Sequence, residues 1–393
     1  MSSDSVVIVA PDGNGSLAGY ARSLSACIDA PAMLVHGCSG NFGHGLLGMH
    51  SLRGLAEDAA VVRRLRALRA PLLHLTSHHL ARYAPLTGSR YVVTVHDLMR
   101  HRDAVERDGG EPLIHRPNRR DRLLLRADAH GLRHADALIA VSEHTKRELI
   151  RLLGIPAERI AVVPEGVDAD SFRSVGRRLL PDPYVLYVGS EQPRKNLRTL
   201  FEAFTRVRDL HPGLKLVKVG DAGGSEAPFR EATRAHAVAT GALQHVVFTG
   251  RVSHEELVAW YSGALGLVQP SRHEGFGLTP LEAMACGCPV IVSSGGALAE
   301  VVGDAGLVYG RPDDVDALAF VLSRVLSSAA ERVDLAGMGR ERAERMSWER
   351  TAALTRAVWR KALAGSFPRE RAPMWRRRRA PDDHALGLGV ERP

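Results

Sequence analysis

Ser271-Arg272-His273-Glu274-Gly275-Phe276-Gly277-Leu278-Thr279-Pro280-Leu281-Glu282-Ala283-Met284-Ala285-Cys286-Gly287-Cys288-Pro289-Val290-Ile291-Val292 is the stretch that decides the fold. It reads as a strand end, a glycine loop, a helix, a tight turn and a second strand. Just upstream, residues 265–268 are a short apolar run closed by Gln269-Pro270, the pattern of a buried parallel strand. Thr279 is a good N-cap, and Pro280 suits the first helical position, where its missing N–H costs nothing. Glu282 then falls third, so Thr279-x-x-Glu282 reads as a capping box. Gly287 ends the helix and Pro289-Val290-Ile291-Val292 opens the next strand. Glu274 and Glu282, with seven residues between them, bracket the turn from loop to helix. Gly275 and Gly277 allow close approach of backbone to a ligand. Bare N–H groups and a helix N-terminus thus converge on one spot with a carboxylate on either side, which suits a phosphate that carries a sugar. Each piece alone is weak. Thr-Pro-x-Glu is most often only a capped helix, and Gly-Phe-Gly is common in turns. Joined in this order they point to a ligand site.

Outward from this stretch the same grammar repeats. Strands are expected at 184–188, 214–219, 246–248, 265–268 and 290–292, with helices at 197–209, 227–240, 254–263 and 315–326. The first half shows strands at 6–10, 72–75, 91–95, 137–141 and 160–163, and helices at 19–28 and 57–68. Near-continuous apolar runs are what parallel strands covered on both faces require. Strands alternating with helices mean an α/β fold of doubly wound domains. Gly and Pro punctuation from Pro164-Glu165-Gly166-Val167-Asp168 to Pro181-Asp182-Pro183 puts the boundary near 167–182.

A chain of 393 residues has room for two domains, each with its own core, and 45% hydrophobic residues is ordinary globular content. No apolar run is long enough to span a bilayer, and the N-terminus lacks the basic start of a secretory signal. Four cysteines make no disulfide scaffold, so a reducing cytoplasm is expected. Cys286-x-Cys288 has no second Cys or His pair at ligand spacing and reads as packing. The net charge of +8 is locally concentrated in Arg376-Arg377-Arg378-Arg379, inside a Pro-rich tail, residues 366–393, expected to be disordered. With Trp375 beside them these arginines could touch an anionic membrane at its inner face, against the blander reading of a solvated tail. A nucleic-acid partner is not expected, because the basic cluster sits in a tail and not along a structured face.

The quoted stretch resembles the E-x7-E signature of retaining glycosyltransferases of the GT-B fold, in particular glycosyltransferase family 4. The resemblance runs from about Val6 to about Leu363 and is strongest from Gly189 to Val308. It implies two Rossmann-like domains facing across a cleft: an acceptor domain, 1–168, and a nucleotide-sugar donor domain, 183–345. A closing helix, 346–365, would pack back on the first. It also implies that Glu274 meets hydroxyls of the donor sugar and Glu282 the ribose, while Gly275, Phe276, Gly277, Leu278 and Thr279 line the sugar and diphosphate.

Other segments carry their own chemistry. Strand 184–188 runs into Gly189-Ser190-Glu191-Gln192-Pro193-Arg194-Lys195-Asn196. A positive pair after a strand and before a helix can reach a diphosphate, Arg as a fork and Lys as a mobile charge. Cations held there stabilise a leaving diphosphate more in the transition state than in the ground state. An exposed basic turn is the alternative. The loop resembles the family's phosphate-binding loop, which gives Arg194 and Lys195 the phosphate role, although Ser190 stands where many members have Arg. His96 ends strand 91–95 and could hydrogen-bond the sugar or orient the acceptor. Lone histidines are more often structural and this chain has 18, but Val-Thr-Val-His-Asp-Leu resembles the family segment whose His lies near the donor sugar. Asp97 can simply cap the next turn. Pro11-Asp12-Gly13-Asn14-Gly15-Ser16 resembles the family's first glycine loop, which places Gly15 and Ser16 near the phosphates, with Ser16 in place of a second glycine. Arg251 and Val252 follow a strand in the segment that meets the nucleotide base in similar enzymes, and Arg251 could stack on the base or face solvent.

Asp168-x-Asp170 and Asp314-x-Asp316 have the Asp-x-Asp form with which many other glycosyltransferases hold a divalent metal, but both read as turn or helix-start acids. No metal and no cofactor are therefore expected, the donor being a substrate. Residues 37–51 and 101–122 face the acceptor side. The latter is rich in Arg and Asp and could admit a charged acceptor. The expected activity is transfer of a hexose from a nucleotide diphosphate sugar to a hydroxyl of a glycan, lipid-linked or small-molecule acceptor. Another GT-B enzyme, such as a nucleotide-sugar epimerase, is the alternative, ahead of a non-enzymatic basic binding protein. His96-Asp97-Leu98 and Pro193-Arg194-Lys195-Asn196-Leu197 resemble mannosyltransferase-like members, which points toward GDP-mannose.

Overall fold

The computed structural model describes residues 6–11, 16–28, 32–35, 52–106, 112–221 and 227–368. Among these, twelve strands form two six-stranded sheets, parallel throughout. The first contains β1 (Val6–Pro11), β2 (Ala32–Val35), β3 (Leu72–Leu75), β4 (Arg90–Val95), β5 (Ala137–Ala140) and β6 (Ile160–Val162), in the order β2-β1-β3-β4-β5-β6. The second contains β7 (Tyr184–Val188), β8 (Lys215–Val219), β9 (Val246–Gly250), β10 (Gly266–Gln269), β11 (Val290–Val292) and β12 (Leu307–Val308), in the order β12-β11-β10-β7-β8-β9. Every residue of β3, β5, β10 and β11 is buried, as helices on both faces of a parallel sheet demand.

These orders locate the site. In the second sheet the chain runs outward from β7 to β9, then returns to lay β10 on the other side of β7. That reversal opens a crevice beyond the carboxyl ends of β7 and β10, where ligands of open α/β sheets bind. The loops that follow those strands carry Arg194, Lys195 and Glu274.

The helix Trp348–Leu363 follows the second sheet in the chain but packs on the first. Val358, Trp359 and Ala362 join Val6, Ile8, Tyr20 and Leu24 in one buried cluster. Arg90 Nη1 donates to the carbonyls of Ala362 at 2.9 Å and Leu363 at 2.5 Å, which satisfies two of the orphan carbonyls at that helix end. The chain crosses between the halves twice, side by side. Val167 N–H donates to Met346 O at 2.9 Å, and Thr351 Oγ1 to Pro164 O at 2.8 Å.

The structure departs from the sequence reading at several elements. β2 and β12 went unread, and so did the helices Met99–Val105, Arg119–His134, Glu143–Leu153 and Ala329–Arg345. Much of 101–122, expected as an acceptor loop, is therefore helical at both ends. Its charges are also engaged: Asp121 pairs with Arg100, just ahead of the segment, at 2.8 Å, and Arg102 with Glu106 at 2.6 Å. The loop 37–51, the Gly13-Asn14 turn with Gly15, and tail residues 369–393 lie outside the described residues.

Candidate active site

The loop after β7 is held from both ends. Tyr187 donates its hydroxyl proton to Ser190 O at 2.7 Å. Asn196 takes a left-handed conformation, φ 56°, which its short polar side chain tolerates. Its Nδ2 donates to Pro270 O at 3.2 Å and Pro312 O at 2.8 Å. Arg272 N–H in turn donates to Arg194 O at 2.7 Å, so the loops after β7 and β10 form one unit. Beneath them Glu191 is buried against Lys218 Nζ of β8, 2.9 Å away, an ion pair between the loop after β7 and the neighbouring strand that sequence inspection did not reveal.

Arg194, Lys195 and Glu274 meet at the crevice. Glu274 Oε2 accepts from Arg194 Nη1 at 2.9 Å, and Oε1 accepts from Lys195 Nζ and Ser271 Oγ, each at 2.7 Å. Burial alone would push the Glu274 carboxyl up. The charges of Arg194 and Lys195 and these hydrogen bonds outweigh it and hold the group far below the usual carboxylate range. Its backbone is fixed as well: Ala297 N–H donates to Glu274 O at 2.9 Å, and Gly296, at φ 70°, passes so close that a Cβ would sit 2.2 Å from that oxygen.

The helix of the quoted stretch starts earlier than read. It spans Leu278–Ala285 and follows Gly277, whose φ of 149° is open in practice only to glycine. Thr279 therefore lies inside the helix, and no side chain caps it, so the expected capping box is absent. Glu282 is thereby released for another partner. Its Oε2 accepts from Tyr261 Oη at 2.9 Å, and burial raises its carboxyl to about 7, with the Tyr261 hydrogen bond opposing. Gly275 is needed for a reason other than the one anticipated. Its bare face lies against the first half of the protein, where a Cβ would sit 1.7 Å from His96 O. Ser142 Oγ donates to Gly275 O at 2.7 Å, and Thr145 Oγ1 to the same oxygen at 3.1 Å. Phe276 is buried, while Leu278 and Thr279 are half-buried.

His96 is committed inside the protein. Nδ1 stands 2.6 Å from Glu165 Oε1 and Nε2 3.0 Å from Thr76 O. Both neighbours are acceptors, so the ring is best served with a proton on each nitrogen. Burial opposes that charge, but the Glu165 hydrogen bond and charge prevail and raise the imidazole above its ordinary value. In the sequence Glu165 belongs to the segment that links the halves, and only its place just after β6, between Pro164 and Gly166, marks it. Asp97 accepts from Met99 N–H at 3.1 Å and so caps the next turn. Ser16 opens the helix Ser16–Ile28 and is exposed, Arg251 is exposed beyond β9, and Val252 is half-buried. Asp168 closes a turn onto Asp170 and Ser171, and Asp314 caps the helix Val315–Ser327.

The description "Glycosyltransferase Family 4" matches residues 4–171, and "Glycosyl transferases group 1" matches residues 168–342. O-antigen chain mannosyltransferase B of Escherichia coli is 32% identical over 282 residues, 68% of this chain and 69% of that protein. The chain belongs to glycosyltransferase family 4. A second family member, D-inositol 3-phosphate glycosyltransferase of Acidothermus cellulolyticus, is 32% identical over 334 residues, 79% of this chain and 72% of that protein. Sucrose-phosphate synthase of Thermosynechococcus elongatus superposes with a TM-score of 0.75 at 22% identity, over 91% of this chain and 99% of that one, and shares the GT-B fold. The two family descriptions meet at 168–171, where the chain first crosses between the sheets.

Proposed function

We propose that this family 4 glycosyltransferase moves a hexose from a nucleoside diphosphate sugar to an acceptor hydroxyl with retention at the anomeric carbon, and does so without a catalytic metal. The observation that carries this reading is the cluster of Arg194, Lys195 and Glu274 at the crevice of the second sheet. A donor diphosphate would take over Arg194 and Lys195 from Glu274. The freed carboxylate would then accept hydrogen bonds from the sugar. As the sugar–phosphate bond breaks, negative charge grows on the departing diphosphate, and two preplaced cations lower the barrier in the way a metal otherwise does. A diphosphate oxygen on the same face accepts the acceptor's proton while its oxygen bonds to the anomeric carbon. Glu282 would bind the ribose, and ionising a carboxyl raised to about 7 strengthens its hold on hydroxyl donors.

The relatives support a hexose donor: one bears the name of a mannosyltransferase. A protein of this fold from Anabaena, TM-score 0.73 at 16% identity, was solved in complex with UDP-glucose. The resemblance of His96-Asp97-Leu98 and Pro193-Arg194-Lys195-Asn196-Leu197 to mannosyltransferase-like members favours GDP-mannose as the donor, with a glycan, lipid-linked or small-molecule acceptor. Among the described residues no helix is long and apolar enough to cross a membrane. The test is acceptor-dependent release of nucleoside diphosphate, with NMR of the new linkage. Turnover of the donor without acceptor, or an inverted anomeric centre, would overturn the proposal.

A further inference from the structure

Three side chains converge where the two halves touch, apart from the donor contacts. His144 and Glu148 stand one turn apart on the helix Glu143–Leu153 of the first half, so both face the same way. His273 comes from the second half, in the loop after β10. One ligand atom from each lies within 4.8 Å of the other two. Glu148 Oε1 is 3.7 Å from His144 Nε2, and Oε2 is 3.4 Å from His273 Nε2. All four atoms are buried and none makes a well-formed hydrogen bond; they meet only one another, in these two long His–Glu pairs. Glu148 is 3% exposed and His273 0%. Unsatisfied buried polar atoms are rare and costly, and four at one point call for a further group between them.

We propose that His144, Glu148 and His273 bind a divalent transition-metal ion, Zn²⁺ by preference, which clasps the two halves of the protein together. Two imidazole nitrogens and one carboxylate oxygen suit zinc, with water as fourth ligand, whereas calcium and magnesium take oxygen ligands. Zinc–ligand distances of about 2.0–2.2 Å put ligand atoms roughly 3.4 Å apart on a tetrahedron, so the three ligand atoms, now within 4.8 Å of one another, must draw together as the ion binds. Arg102 Nη1 lies 3.2 Å from His273 Nδ1 and must give up that contact, because an ion on Nε2 leaves the ring proton on Nδ1. Glu106 already holds Arg102 Nε at 2.6 Å and keeps the guanidinium paired. The ion takes no part in sugar transfer. It fixes the loop that carries Glu274, and it stands or falls independently of the proposed reaction.

The test is equilibrium dialysis of the untagged full chain, stripped with a chelator and reloaded with zinc chloride, followed by metal analysis and thermal melting. One zinc per chain and a higher melting temperature than in EDTA are expected. His144→Ala and His273→Ala, one from each half, should each weaken zinc binding by about a hundredfold or more, beyond what a change around the ligands costs, and abolish the zinc-dependent rise. His254→Ala, at an exposed histidine elsewhere, should change neither. Glu148→Gln keeps the shape of the site, so it decides the matter if the alanine variants fold poorly. Substoichiometric zinc in the wild type, or wild-type affinity in any of the three ligand variants, overturns the proposal.

Discussion

Replacing Glu282 by Gln should flatten the pH dependence of stability in a defined window. The buried carboxyl titrates at about 7 in the folded protein, against about 4.5 when exposed. Between those values the folded state holds a proton that the unfolded state has released. Stability is therefore fully present below pH 4.5, falls as pH rises toward 7, and levels off above it. The gap between the two values corresponds to about 3 kcal/mol. Glu282→Gln keeps the shape and a hydrogen bond to Tyr261 but cannot ionise. The assay is thermal or urea unfolding of both proteins at pH 5, 6, 7 and 8. The wild type should lose about 2.5 kcal/mol more than the variant across that range, since part of the total is already lost by pH 5, or roughly 5–10 °C in melting temperature for a domain of this size. Parallel curves would mean that Glu282 is ionised or solvated in the fold, and the reasoning from burial would fail. The proposed ribose role adds a second readout: donor binding below pH 7 should release a proton, visible calorimetrically in buffers of different ionisation enthalpy.

Glu274→Ala leaves Arg194 and Lys195 without their carboxylate, so the empty variant should melt lower, and inorganic pyrophosphate should stabilise it more than it stabilises the wild type. Its turnover should fall roughly a hundredfold or more, as when other transition-state contacts are removed. Glu165→Gln removes the group that raises the His96 imidazole, so NMR titration should find His96 lower than in the wild type. The stability this pair contributes is present below the ordinary histidine value and lost as pH rises through the folded one. Gly275→Ala would drive a Cβ into His96 O, so small-angle scattering should report separation of the halves and activity should fall, with each half still folded.

Which parts were legible follows from where the information lies. β3, β5, β10 and β11 were readable because both their faces are buried and all their residues but His74 and Gln269 are apolar or small. The helix Arg119–His134 was not, because exposed arginines crowd it and its buried face includes Asp121 and Asp128, each neutralised by an arginine distant in sequence. β12 has only two residues, too few for a period. At the site, the Arg194-Lys195 and Glu274 loops were legible as loops at the ends of β7 and β10, because each pattern lies within a few adjacent residues. The His96–Glu165 pair joins residues 69 apart, and the Glu282–Tyr261 bond joins residues 21 apart, distances across which no local pattern speaks. The helix start was misread because Thr-Pro is a strong opening signal, yet Gly277 turns the chain two residues sooner than Thr279 would.

The most direct measurement is calorimetric titration of the wild type and of Lys195→Ala with UDP-, GDP- and ADP-sugars. The account predicts that one of these donors binds the wild type and that binding weakens sharply in the variant. If none binds, or if the variant binds as well as the wild type, the crevice between β7 and β10 is not where a sugar nucleotide is held.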